Sequence, residues 1–198
     1  MQFQNSLNLS NGIFFKLKSS FKKLYKNSNF YEKRISKTFD NNFEYKPSPH
    51  LLSSIIKYQK KKYKIEDFAT EAIWKNNISS KDFRKLNNFF WFFSLDLKSS
   101  KETTQSIILN WINKNEKFDE NIWEFNITAK RIIAWLSNHQ LTYEDSNKEY
   151  KLFFNHMLQK QTNHLLNEIK NLSEIEEKLI GCAAIILTGL AYKDEKII

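Results

Sequence analysis

Trp123, Ile127, Arg131 and Trp135 fall at intervals of four residues, which on a helix makes one row of neighbouring side chains. An arginine inside an apolar row must be paired or must face a ligand, because an unpaired guanidinium out of water is costly. A carboxylate of an acidic sugar would pair with it through two parallel hydrogen bonds. An indole face suits the apolar CH face of a pyranose ring. Trp91 supplies a further indole, and Asn138 and His139, one turn past Trp135, supply donors for sugar hydroxyls. Arg131, Trp135, Trp123, Trp91, Asn138 and His139 are therefore the candidate carbohydrate-binding residues. Structural alternatives stand beside each. The indoles, Trp111 included, fit helix–helix packing; Arg131 fits an ion pair with Asp96 or Glu124, or stacking on Trp135; Asn138 and His139 fit a solvated helix end.

Other constellations are weaker. His156 and His164 are eight residues apart with Lys160 between them, and an ammonium there would repel a metal ion, so the spacing does not read as a zinc site. No metal or cofactor is expected. The chain has no Gly-rich phosphate loop, no G-x-S-x-G elbow and no readable Ser-His-Asp arrangement. Cys182, the only cysteine, excludes an intrachain disulfide and is compatible with the cytoplasm. Beside Ala183 and Ala184 it reads as a small buried residue.

The elements that must position these groups are helices. With 3 Gly and 2 Pro in 198 residues, the chain lacks the turn residues a multi-stranded fold needs. Leu51, Leu52, Ile55 and Ile56 predict a helix after Pro47-Ser48-Pro49. Ser79-Ser80 and Asp82 open a second, carrying Phe83, Leu86, Phe89, Phe90, Phe93 and Leu97. A third begins near Ser99-Ser100 and buries Ile107, Ile108, Trp111 and Ile112. A fourth runs from about Ile122 to His139. Ser146-Asn147-Lys148-Glu149 and Ser173-Glu174-Ile175-Glu176 read as capping boxes that open two more, the first reaching about Asn171. Small residues at Gly181, Ala183, Ala184 and Gly189 in the last helix allow a close approach. Six or seven helices on short loops imply antiparallel helical hairpins.

Charge divides the chain unevenly. Residues 1–68 hold 14 Lys and Arg against 5 Asp and Glu, and the rest hold 17 against 17. The neutral remainder argues against a nucleic-acid partner for the domain as a whole. Residues 1–46 form a basic arm, in which Phe14, Phe15, Leu17, Phe21, Leu24 and Tyr25 have near-helical spacing among lysines. That pattern fits an amphipathic helix on an anionic surface, or an arm docked on its own domain with its lysines in water. The tract Lys57 to Lys64 reads as a solvated face, with phosphate binding as the alternative. No apolar run approaches the ~20 residues of a membrane span, so no transmembrane segment is expected. Polar residues interrupt the first 21 positions, so no secretory signal peptide is expected and the location reads as cytoplasmic.

The order of the aromatic motifs resembles the N-terminal helical domain of the heparinase II/III family of polysaccharide lyases. The matching pieces are Leu86-Asn87-Asn88-Phe89-Phe90-Trp91, Asp96-Leu97, Trp111-Ile112, Trp123, Ala129 to Trp135, and Thr188-Gly189-Leu190-Ala191-Tyr192, so the resemblance spans about residues 47–192. It implies an all-α fold, an incomplete α/α toroid built from antiparallel hairpins over residues 47–198, an acidic polysaccharide as partner, and β-elimination chemistry. Family members carry an Asn-His pair and a later Asn where this sequence has Glu176-Glu177 and Gly181. Carboxylates there would repel a uronate. The later helices that carry the family's catalytic Tyr and its C-terminal β-sandwich lie beyond Ile198, so no catalytic residue is placed and the chain is expected to be catalytically silent.

Two functions follow as expectations. One is acidic-polysaccharide handling by a protein of lyase ancestry. The alternative is a non-enzymatic binding or scaffold protein whose basic arm meets an anionic partner. A fragment of a longer reading frame is a third expectation. A truncated toroid would leave the apolar face of its last helix, around Ile185 to Leu190, without its usual neighbour, which predicts self-association through that helix.

Overall fold

Apolar spacing decides where these helices form, and local caps together with contacts from distant parts of the chain decide where they stop. The computed structural model describes residues 14, 16–40, 43, 80–94, 101–195 and 197. Among them all regular structure is helical, as the scarcity of Gly and Pro predicts. The helix expected after Pro47, the tract Lys57 to Lys64, and Asp96-Leu97 lie outside the described residues. The chain divides into two compact units, residues 1–34 and 35–198.

In the first unit, residues 16–26 form helix α1. Ser28 ends it and starts the next helix: its hydroxyl donates to the Tyr25 carbonyl at 2.6 Å and accepts from the Tyr31 amide at 3.3 Å. Helix α2 (Asn29–Ile35) follows, and the Tyr25 and Tyr31 rings meet edge-on at 5.2 Å.

The second unit is built from α3 (Ser80–Asn87), a 3-10 turn (Phe90–Ser94), α4 (Lys101–Lys114), α5 (Phe125–Ser137), the short α6 (His139–Thr142), α7 (Lys148–Glu168) and α8 (Ile175–Tyr192). Helix α5 is central and packs against α3, the 3-10 turn, α7 and α8, while α4 lies against α6 and α7. Only Asn126 and Lys130 of α5 keep appreciable exposure, so the helix has no open face. Residues 35–40 and 43 rest on α7 and α8. Asn163 Nδ2 donates to the Ile35 and Lys37 carbonyls at 2.9 and 2.6 Å, and the Phe39 and Phe43 rings pack edge-on against Tyr192.

Several boundaries differ from the sequence reading. The helix expected to run on from Ser80 past Phe90 breaks at Phe89, which sits at φ 57°. The Asn87 carbonyl is taken by Arg131 at 2.8 Å, and the Asn88 side chain accepts from the Phe90 amide at 2.9 Å, which turns the chain into the 3-10 segment. Trp123 lies in the turn before α5 and not within the helix. Asn147, not Ser146, caps α7 by accepting from the Tyr150 amide at 2.8 Å, while the Ser146 hydroxyl donates to the Tyr143 carbonyl. At α8 the N-cap is Glu174 and carries no side-chain cap bond, so the second capping box is not formed. α7 ends at Glu168 and a 3-10 turn completes Ile169–Asn171.

Helix α8 also turns the other way from the expectation for Cys182. Gly181, Ala184, Thr188 and Ala191 face inward, whereas Cys182 is exposed. The small face wins because it lets α5 come close: a Cβ on Gly181 would overlap the Phe125 ring.

Candidate functional site

Arg131 is the centre of the interior. It lies at 0% exposure, and burial holds its guanidinium well below the usual arginine range. Nε donates to Gln161 Oε1 at 2.6 Å and Nη1 to the Asn87 carbonyl at 2.8 Å. Both Nη atoms reach the Ile122 carbonyl at 3.3 Å, and Nη2 also reaches Thr128 Oγ1 at 3.3 Å. The guanidinium carbon stands 4.1 Å from the centroid of the Trp111 ring. Each of these acceptors is neutral, so Arg131 is satisfied by carbonyl and hydroxyl oxygens rather than by a carboxylate. Glu124, one of its expected partners, pairs with Arg84 instead. The stacking partner is Trp111 and not Trp135.

This network ties four parts of the fold together. Arg131 joins the end of α3, the turn before α5, and α7. Asn87 extends it, accepting from Trp111 Nε1 at 2.9 Å and donating to the Phe83 carbonyl at 3.0 Å. Chemically the arrangement is a positioning clamp, with its donors already engaged inside the protein.

The candidate aromatic residues separate into two interior clusters. Trp135, at 0% exposure, meets Phe89, Trp111 and Phe154 at centroid distances of 5.4, 5.6 and 5.3 Å. Trp123 is also buried and lies against Phe118 and His164 at 6.1 and 5.8 Å. Lys160 Nζ stands 5.5 Å from that indole and donates to the Glu116 carbonyl. The ring N–H groups of Trp123 and Trp135 have no hydrogen-bond partner among the described residues. Trp91 is half-buried, stacked 5.9 Å from Phe89, with its N–H on the Leu86 carbonyl. Asn138 is half-buried and donates to the Ala134 carbonyl at 2.8 Å. His139 is buried, with Nε2 3.3 Å from a Glu144 carboxylate oxygen. The structure thus joins Arg131 and Trp135 through Trp111, links Trp91 to Trp135 through Phe89, and sets Trp123 and the Asn138–His139 pair apart from that contact.

Sequence reasoning missed Asn87, Gln161 and Lys160 as interior polar groups. The available signal was weak: polar residues inside otherwise apolar helices, whose partners are tens of residues away.

Two surfaces expose what the core does not use. On α1, Leu17, Phe21 and Leu24 are 54%, 71% and 69% exposed, and helical Phe14 is 69% exposed. At 100° per residue these four and Tyr25 share an arc of about 100°; Lys16, Lys22, Lys23 and Lys26 lie on the opposite side, with Lys18 at the border next to Tyr25. On α8, Ile175, Leu179, Ile186 and Leu190 are exposed on the outward face with Cys182, while Ile185 and Leu187 are buried. Among the described residues no cluster of His, Cys, Asp and Glu is placed to hold a metal ion, and no helix is long and apolar enough to cross a membrane. No family model, curated protein or solved structure matches this chain.

Proposed function

We propose that this chain is a non-enzymatic binding protein whose N-terminal helix lies on an anionic lipid surface. The single observation that carries the reading is the exposed, two-sided surface of α1. Its apolar arc and its lysines are segregated, and residues 1–31 contain no Asp or Glu. A helix of this kind settles in the interfacial plane with its apolar face toward the acyl chains and its lysines among the headgroups.

Magnitudes decide which part dominates. Full burial of a Phe or Leu is worth about 1.5–3 kcal/mol, and a Lys near an anionic leaflet about 1 kcal/mol. The four apolar residues therefore contribute at least as much as the five lysines. Salt should weaken binding without abolishing it, and loss of the apolar face should abolish it.

Lyase ancestry, with its incomplete α/α toroid and an acidic polysaccharide as partner, is the rival reading. Its support is the order of the Trp and Arg motifs. It asks Arg131 to exchange five internal hydrogen bonds for a sugar carboxylate, which is why the lipid reading is preferred.

Co-sedimentation of the full chain with phosphatidylcholine vesicles, with and without phosphatidylserine, tests the proposal. Binding is expected to be markedly tighter with the anionic lipid, and it should be lost in the Phe21→Ser/Leu24→Ser double variant. Equal binding to both vesicles, or undiminished binding of the variant, overturns it. Tighter binding to a soluble alginate-type polymer, insensitive to the variant, overturns it in favour of the polysaccharide.

A further inference from the structure

Helix α8 turns Gly181, Ala184, Thr188 and Ala191 inward and leaves four bulky apolar side chains outward. Ile175 is 74% exposed and Leu179 65%, with Ile186 at 42% and Leu190 at 39%. With Cys182 they lie within about 80° of arc at 100° per residue. No charged side chain enters that arc between Ile175 and Leu190, and the stripe runs roughly 22 Å at 1.5 Å per residue. Exposed apolar stripes of this length mark contact sites.

We propose that this face binds a second copy of the chain through an antiparallel, two-fold pairing of α8 helices. The register follows from the spacing. With the axis between Cys182 and Ala183, Ile175 faces the partner's Leu190 and Leu179 faces the partner's Ile186, each twice. A two-fold interface needs such a self-complementary pattern, because the same patch serves both sides.

The helix dipoles favour the antiparallel direction, because each N-terminal end then lies beside the partner's C-terminal end. Parallel pairing would set the exposed Glu174 and Glu176 against their own copies. Two such faces bury on the order of 1,000 Å² together, the lower end for a specific interface, so a reversible dimer is expected. The proposal is independent of the lipid reading, since it uses neither α1 nor its lysines.

Sedimentation velocity of the reduced full chain across about 5–200 μM is the test. A species of twice 23.8 kDa should grow with concentration. Cys182, near the axis, should allow a short bismaleimide to link the two copies. Leu179→Glu and Ile186→Lys should each weaken the dimer about tenfold or more while retaining helical circular dichroism. The double variant Leu179→Glu/Ile186→Lys should restore it, because each new Glu then faces a new Lys across the axis. A monomer at every concentration overturns the proposal. So does a double variant as weak as the singles, which would indicate parallel pairing or another surface.

Discussion

Helices α1 and α5 carry the same kind of sequence, aromatic and aliphatic residues interleaved with cations, and meet opposite fates. In α5 the buried cation is Arg131, enclosed by α3, α7, the turn before its own helix and Trp111 of α4. In α1 the cations are lysines, and the apolar residues beside them stand in solvent. The chemistry of the head groups fits the difference. A guanidinium offers five N–H donors in a planar fork and can satisfy several carbonyls at once. An ammonium is strongly hydrated and suits a headgroup layer. Arg131 organises the fold from inside, and the lysines of α1 stand at the surface.

The comparison breaks most sharply at Arg131. Arg131→Met preserves much of the bulk but strips the donors from Gln161 Oε1 and from the Asn87 and Ile122 carbonyls. A buried acceptor left without its donor costs about 1–3 kcal/mol, so the loss should be a large part of a stability of about 5–15 kcal/mol. Urea unfolding should show that loss, or no folded state at all. Arg131→Lys should recover less than half, since one ammonium cannot reach three separated acceptors. A loss under about 1 kcal/mol for Arg131→Met would mean the network is not the organising contact.

Gly181 gives the next effect in size. An added methyl meets the far end of the buried Phe125 ring, which must shift to make room. Gly181→Ala should therefore destabilise by about 1–2 kcal/mol, partly offset by the better helix propensity of Ala. In the background of Phe125→Ala the same substitution should become neutral or stabilising. Additive losses in the double variant would show that α8 is held off α5 by something other than that ring.

These contacts also explain which parts of the structure were legible in the sequence. The cores of α4, α5, α7 and α8 were readable because their apolar positions recur with the helical period, and Glu102 marks the first turn of α4. The break at Phe89 was not, because it depends on the hydrogen bond from Arg131 to the Asn87 carbonyl, 44 residues apart in sequence. That Arg131 needed partners followed from its apolar neighbours; that they would be neutral oxygens did not, since the pairing depends on where α3 and α7 dock. Cys182 was misplaced for a related reason. Periodicity marks an apolar face on each side of α8, and only the close approach of α5 to Gly181 decides which goes inside. The basic, apolar pattern of α1 was visible from the start, and the structure adds the exposure of its side chains.

The smallest expected effect separates exposure from burial most cleanly. Phe21 and Leu24 contribute little to the folded state if their surface stays in water before and after folding. The Phe21→Ser/Leu24→Ser variant should therefore unfold within about 0.5 kcal/mol of the parent, although it removes two of the largest apolar side chains of α1. Made in a core, the same two truncations would cost several kcal/mol. Thermal unfolding without lipid checks this, and anionic vesicles should raise the parent's Tm more than the variant's, because a ligand that binds only the folded state stabilises it. A drop of 2 kcal/mol or more without lipid would place this face against the protein itself and leave vesicle binding without its apolar anchor.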